Sequence, residues 1–306
     1  MTLRAVLQKV RDGLKPLVPI GVRRWLVKAR HRLRELTAPW RVVPDFVIIG
    51  CQRGGTSSLY RYLGQHPSIS PSLRKETEYF SANYGHGVRW YRAHFPLELR
   101  RKLSALFGRK LLTFEATPDY LLDPRAPERC RDLLPEAKII VLLREPGERA
   151  LSQYHHNVRL GHEPETFERA LELEESRITP DIGEMTIDPM TRATSFRRFS
   201  YQARGDYAEQ LKRWFAVYPR DRFLILESEE FFEDPDRVLQ RILDFVGAPR
   251  FSPPEFRNYS YLKPGVEGHD AVPANLKDTV EQRFAGSNRA LREMIDVDLG
   301  WLRAER

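Results

Sequence analysis

The chain has 306 residues, 41% hydrophobic and 30% charged, which excludes a disordered or collagen-like polymer and allows one large core or two small ones. Its formal charge of +8 does not mark a nucleic-acid-binding body, because residues 1–44 hold 11 Lys/Arg and 2 Asp/Glu and leave residues 45–306 at −1. Cys51 and Cys130 are too few for a disulfide framework, so free thiols and a reducing compartment are expected.

Residues 1–44 read as a basic helical leader. Leu3, Val6, Leu7, Val10 and Leu14 recur at helical spacing, Pro16 and Pro19 break the run, and Val22, Trp25, Leu26, Ala29, Leu33 and Leu36 resume it. Arg23, Arg24, Lys28, Arg30, Arg32 and Arg34 fill the gaps. Such a helix either lies on an anionic lipid surface or packs its apolar side on the body and solvates its basic one. No run of roughly 18 apolar residues and no signal-peptide pattern is present, so the expectation is an unprocessed chain that does not span a membrane.

From residue 45 strands alternate with helices, the pattern of a parallel sheet covered on both faces. Strands are predicted at Phe46–Ile49, Leu111–Glu115, Ile139–Leu143 and Phe223–Leu226. Helices follow Gly55, occupy residues 205–217, run from Pro235 to Phe245, and form two further segments after Pro273. There is no internal repeat.

The segment IIGCQRGGTSSL is a strand, a glycine turn and a helix start, which together form a backbone cradle for a phosphate-like anion. No lysine follows Gly55, so the nucleoside triphosphatase pattern is absent and Arg53 supplies the cation from inside the loop. In IIVLLREPGERALSQYHH, Arg144 ends a buried strand and Ser152 follows on a helix, a pair suited to gripping a second phosphate. Two anion grips imply a nucleotide phosphorylated at two positions. His155 and His156 are adjacent rather than at ligand spacing, and no Cys/His cluster exists, so no metal is expected.

The ordered segments CQRGGTSSLYRYLGQHP, KETEYFS, GVRWYRAHFP, EATPDYLLDPRAPERCRDLLPEAKIIVLLREPGERALSQY and GDYAEQLKRWFAVYP resemble sulfotransferases that use 3′-phosphoadenosine 5′-phosphosulfate (PAPS). The heparan sulfate and carbohydrate branch is closest, and the likeness runs from about residue 45 to residue 302. The resemblance implies an α/β, P-loop-like three-layer sandwich with a central parallel sheet flanked by helices. It assigns the 5′-phosphosulfate to Arg53, Gly54, Gly55, Thr56 and Ser57, with Ser58 beside them, and the 3′-phosphate to Arg144 and Ser152. Glu76 matches the family's base, and Glu78 stands where a histidine is frequent; either carboxylate could take a sugar proton, with Glu76 in better register.

Arg53 replaces the usual lysine before Gly-Gly-Thr, keeping the charge and changing its reach, and Ala116 replaces another lysine. Lys263 and His269 are the basic candidates in a nucleotide-closing loop, while Arg74, Arg89, Arg92, Arg197 and Arg198 are candidates for an anionic acceptor cleft. The implied enzyme is cytoplasmic and peripheral on the inner membrane face. It would act on a saccharide, glycolipid or other hydroxyl or amine, with no metal and no nucleic-acid partner. The competing readings are a P-loop kinase-like phosphoryl transferase and a non-catalytic nucleotide- or membrane-binding adaptor.

Overall fold

A computed structural model describes residues 20–257 and 274–303. Among them, five strands form one parallel sheet in the order β2–β3–β1–β4–β5, with β1 at Phe46–Gly50, β2 at Ile69–Pro71, β3 at Leu112–Ala116, β4 at Lys138–Leu143 and β5 at Phe223–Glu227. The helices that bear on function are α1 (Ile20–Leu36), α2 (Thr56–Leu63), α3 (Gly87–Arg92), α4 (Glu98–Leu106), α5 (Pro146–Arg159), α6 (Tyr207–Phe215), α7 (Ser228–Glu233), α8 (Pro235–Val246) and α9 (Ala274–Met294).

Alternation along each strand divides the core in two. Phe46, Ile48, Phe114, Ile140 and Leu142 face Leu59 and Leu63 of α2 and Val238, Leu239, Ile242 and Leu243 of α8. Val47, Ile49, Ile139, Val141 and Leu143 face Tyr91, Phe95, Tyr207, Leu211, Trp214 and Leu291. Register aligns Phe46 with Phe114, and their rings stack 4.9 Å apart. The three-layer α/β architecture expected from the sequence is therefore the one observed. Because β1 is central, with β3 on one side and β4 on the other, the crevice opens at the carboxyl ends of these three strands.

Three elements differ from the sequence reading. Strand β2 was missed, since Ser70 and Pro71 read as turn residues; Pro71 is tolerated because β2 is an edge strand. The C-terminal region is one helix, α9, rather than two, and it runs through Gly286, beside which a Cβ would meet nothing within 4 Å. Exposed helical glycine costs only about 1 kcal/mol, which 21 residues of helix absorb. The second leader run is the helix α1, while the first, residues 3–14, lies outside the described residues. Both cysteines are buried and unbridged.

Helix α1 is held to the body by polar groups. Arg34 Nε donates to Ala93 O at 2.5 Å, His31 Nδ1 meets Glu35 at 2.8 Å, and His31 Nε2 meets His94 Nε2 at 3.0 Å. With His31 Nδ1–H committed to Glu35, His94 Nε2–H is the donor between the two rings, and His94 Nδ1, buried without a partner, carries no proton. Burial first, then His31, Arg74 and Arg34, hold His94 down to about 3, and burial also lowers His31. A histidine whose folded pKa lies below its unfolded value favours folding fully above about 6.5, and this contribution is lost as pH falls. We therefore expect hydrogen-exchange protection factors in α1 to drop between pH 7 and pH 5 while those in β4 hold. Unchanged protection in α1 would contradict the latch.

Candidate active site

The loop between β1 and α2 is shaped by two glycines. A Cβ on Gly54 would lie 2.7 Å from Cys51 Sγ, 2.9 Å from Ser228 Oγ and 3.2 Å from Leu142 O. Gly55 has φ 92°, and a Cβ there would meet the rings of Phe231 and Phe232 at 2.9 Å. Cys51 N donates to Leu142 O at 2.6 Å and Ser228 Oγ to Gly54 O at 3.0 Å, so the loop is fastened to the end of β4 and to α7. Gly55 O accepts from Ser58 N at 3.0 Å and Leu59 N at 3.1 Å, while the Thr56 and Ser57 N–H groups in the first turn lie where a helix has no intrahelical acceptor and are suited to an anion. Thr56 and Ser58 are buried against the body, whereas Ser57 is partly open.

Arg53, also left-handed at φ 70°, sends its Nε to Ser152 Oγ at 3.0 Å. Arg144 Nη1 reaches Arg53 O at 3.5 Å and its Nη2 lies 3.6 Å from Glu148. The two anion grips read from the sequence are thus joined through Arg53. Burial first, then Arg144, Arg159 and Arg149, lower Arg53 to about 10, and among the described residues no carboxylate lies within ion-pair distance of it. A half-buried cation whose partner is one serine hydroxyl is built to receive an anion. Glu145 caps α5 by accepting from Gly147 N and Glu148 N, which fixes the helix that carries Ser152.

Glu76 and Glu78 stand on a segment with two left-handed residues, φ 61° and 54°. Non-glycine residues there cost of order 1–3 kcal/mol each, so other contacts must hold them. Thr77, between them, donates its hydroxyl to the fully buried Glu115, which also accepts from Tyr91 at 2.6 Å, Tyr120 at 3.2 Å and Thr117 at 3.3 Å. Burial pushes the Glu115 carboxyl up and the four hydroxyls pull it back. Glu76 N donates to Ala116 O at 3.0 Å, and Asn83 Nδ2 to Thr77 O at 2.8 Å.

The two carboxylates differ in environment. Glu78 is ion-paired with Arg197 at 2.8 Å, and Arg197 also binds Asp119 at 2.6 Å. Burial would raise Asp119, but Arg204 and Arg197 override it and bring it to about 2. Glu76 remains 46% exposed, paired with Lys75, and its carbonyl accepts from Arg74 at 3.0 Å. Of the arginines considered for an acceptor cleft, Arg197 is thereby neutralised, Arg74 braces Glu76, and Arg89 reaches Glu35 O at 3.4 Å. Lys263 and His269 lie outside the described residues.

The sequence reading passed over His156, which it took as a helix-surface or cleft residue. Its Nδ1 accepts from Arg159 at 2.8 Å, leaving the proton on Nε2. Burial first, then Arg53, Arg159 and His162, lower it to about 4, against an opposing pull from Glu76, so this neutral imidazole lies in the fields of both the loop arginine and Glu76. The available signal was its position one helical turn beyond Ser152.

A parallel sheet with a fastened glycine loop, a half-buried arginine without a carboxylate partner among the described residues and a partly exposed carboxylate suits an α/β enzyme that handles an anionic group. The sulfotransferase domain family matches residues 43–260, and the chain belongs to that family; it is a sulfotransferase. It is 26% identical to a membrane-associated sulfotransferase, kil1, of Dictyostelium discoideum over 85% of this chain and 66% of that protein. It is 27% identical to human heparan sulfate glucosamine 3-O-sulfotransferase 6, over 85% of this chain and 74% of that one. A sulfotransferase from Alicyclobacillus acidocaldarius superposes with TM-score 0.63 at 30% identity, over 86% and 99% of the two chains.

Thr77→Val should lower stability by about 1.5–3 kcal/mol, since it leaves a buried carboxylate one donor short, and should lower kcat by loosening Glu76; Thr77→Ser should restore both. Urea unfolding and turnover measure the two effects. A Thr77→Val protein of wild-type stability would show that the Glu115 contact does not hold this turn.

Proposed function

We propose that the donor is PAPS and the acceptor a hydroxyl, or an amine, of a saccharide or glycolipid. The observation that carries this reading is the Arg53 guanidinium, lowered to about 10 by burial and neighbouring arginines, beside a loop in which neither glycine admits a Cβ. These residues fit a donor bearing separated phosphate groups: the amides of Gly55–Ser57 and Arg53 would hold the phosphosulfate end, with Gly54 giving the room for it, and Arg144 with Ser152 the 3′-phosphate. The saccharide acceptor is supported by the heparan sulfate glucosamine 3-O-sulfotransferase among the relatives.

When bound, PAPS supplies the sulfuryl group, whose sulfur–oxygen bond to phosphate breaks as one to the acceptor oxygen forms. Arg53 and the loop amides stabilise the charge that collects on the departing phosphate oxygen. Arg53 does this by charge and hydrogen bonding rather than by giving up a proton, the chief consequence of replacing lysine. Glu76, open to the cleft, takes the acceptor proton, whereas Glu78 is engaged by Arg197. Neutral His156, within the influence of both Arg53 and Glu76, would orient the acceptor through its Nε2–H.

Isothermal titration with 3′-phosphoadenosine 5′-phosphate tests the donor site. Arg144→Ala and Ser152→Ala should each weaken binding by roughly 10- to 100-fold, the scale of a hydrogen bond to a charged group. A wild type that does not bind would sink the proposal. Glu76→Gln should reduce kcat by about a hundredfold or more with nucleotide affinity unchanged; near-normal turnover would move the base to Glu78.

A further inference from the structure

Two helices of this protein are inside out. Helix α1 turns His31, Arg34 and Glu35 to the body and leaves Trp25, Leu33 and Leu36 each 66% exposed, with Leu26 and Val27 also open. Helix α4 buries none of its residues, and Leu99, Leu103, Leu106 and Phe107, spaced along one face of the helix and its end, are 61, 47, 80 and 80% exposed. A surface helix ordinarily does the reverse. The carboxyl end of α1 and the entry to α4 are linked through Arg41, which pairs with Leu97 and whose Nε donates to Arg34 O at 3.1 Å. Trp40, between them in sequence, is 66% exposed.

Basic residues frame both rows. Residues 20–36 carry six Lys/Arg and one Glu, and residues 98–110 carry five Lys/Arg and one Glu. Beside α4 a cleft of about 280 Å³ is lined by Arg101, Arg109, Lys110 and Asp45. A second copy of the chain would bring like charges together, and a polyanionic saccharide would engage the arginines without covering the leucines and tryptophans. A bilayer with anionic headgroups matches both features, since headgroups meet the cations while the apolar side chains enter the acyl boundary.

We infer that α1, Trp40 and α4 with Phe107 form one docking surface for an anionic lipid bilayer. Among the described residues no helix is long and apolar enough to cross a membrane, so the contact is interfacial. Helix α4 leads through Lys110 and Leu111 into the amino end of β3, whereas the glycine loop, Arg144 and Glu76 gather at the carboxyl ends, so docking through α4 leaves the cleft open. The inference stands on these two helices and is independent of the donor and acceptor proposed above.

The test is flotation of the full chain with vesicles of phosphatidylcholine, with and without phosphatidylserine. The wild type should bind the phosphatidylserine vesicles, release them at high salt and leave the neutral ones unbound. Leu106→Ser/Phe107→Ser and Leu33→Ser/Leu36→Ser should each cut the bound fraction by about tenfold or more, the scale expected when two apolar side chains are withdrawn from an interface. Their urea midpoints and nucleotide affinity should match the wild type, because these side chains are exposed and outside the cleft. Absence of vesicle binding, or binding indifferent to both double variants, would overturn the inference. So would a dimer that the variants dissociate in sedimentation, or salt-sensitive binding to heparin alone.

Discussion

The close approach of the Gly54–Gly55 backbone to the end of β4 and to α7 is the constraint on which the cleft depends. No side chain fits at either position: Gly54 is walled by Cys51, Ser228 and Leu142 O, and Gly55 by the rings of Phe231 and Phe232. That contact sets where α2 begins, hence where its first amides point, and it carries Arg53 across to Ser152. Strand, loop, helix start and cation are one rigid unit, and rigidity is what lets preformed dipoles stabilise charge without reorganising.

Charge in the cleft is distributed unequally, and the inequality separates roles. Arg197 and Arg204 are consumed by Asp119 and Glu78, a closed network that holds the segment around residue 197 against the carboxylate turn. Arg53 is left without a carboxylate among the described residues, and Glu76 without an arginine partner on its carboxylate. The same residue types therefore serve as scaffold in one place and, in Arg53 and the partly exposed Glu76 held by Lys75, remain partly open to solvent in another. His156, whose imidazole feels both Arg53 and Glu76, is kept neutral by burial and surrounding cations.

The left-handed turn at Glu76–Glu78 shows how the core reaches into the site. Its strain is met by a buried carboxylate on β3, Glu115, whose four hydroxyl partners come from the turn, from α3, from Thr117 just past β3 and from Tyr120. On the opposite account, α1 and α4 expose apolar side chains that a lone soluble body would cover. The inner architecture directs polar groups inward to build a site, and α1 and α4 leave apolar side chains exposed.

Much of this was legible in the order of residues. Short apolar runs bounded by turn residues announced β1, β3, β4 and β5, because a strand buried on both faces has few other ways to be written, and the glycine loop announced an anion cradle because only glycine permits so close a backbone approach. Arg53, Arg144 and Ser152 were named from their positions next to those elements, and Glu76 from the family resemblance of its motif. The three residues of β2 were not legible, since Ser and Pro become strand only when a neighbouring edge offers pairing. Nor were the different surroundings of Glu76 and Glu78, which depend on Arg197 more than 100 residues along the chain, nor the place of His156, which depends on a helix brought over the loop. The periodicity of α1 revealed two faces but not which faced the body; polar contacts to His94, Ala93 and Phe95 decided that. Local sequence determines where chemistry-bearing groups are carried, because backbone geometry is local. Which of them are neutralised, buried or left free is decided by long-range packing, because charge and desolvation depend on what the fold brings near.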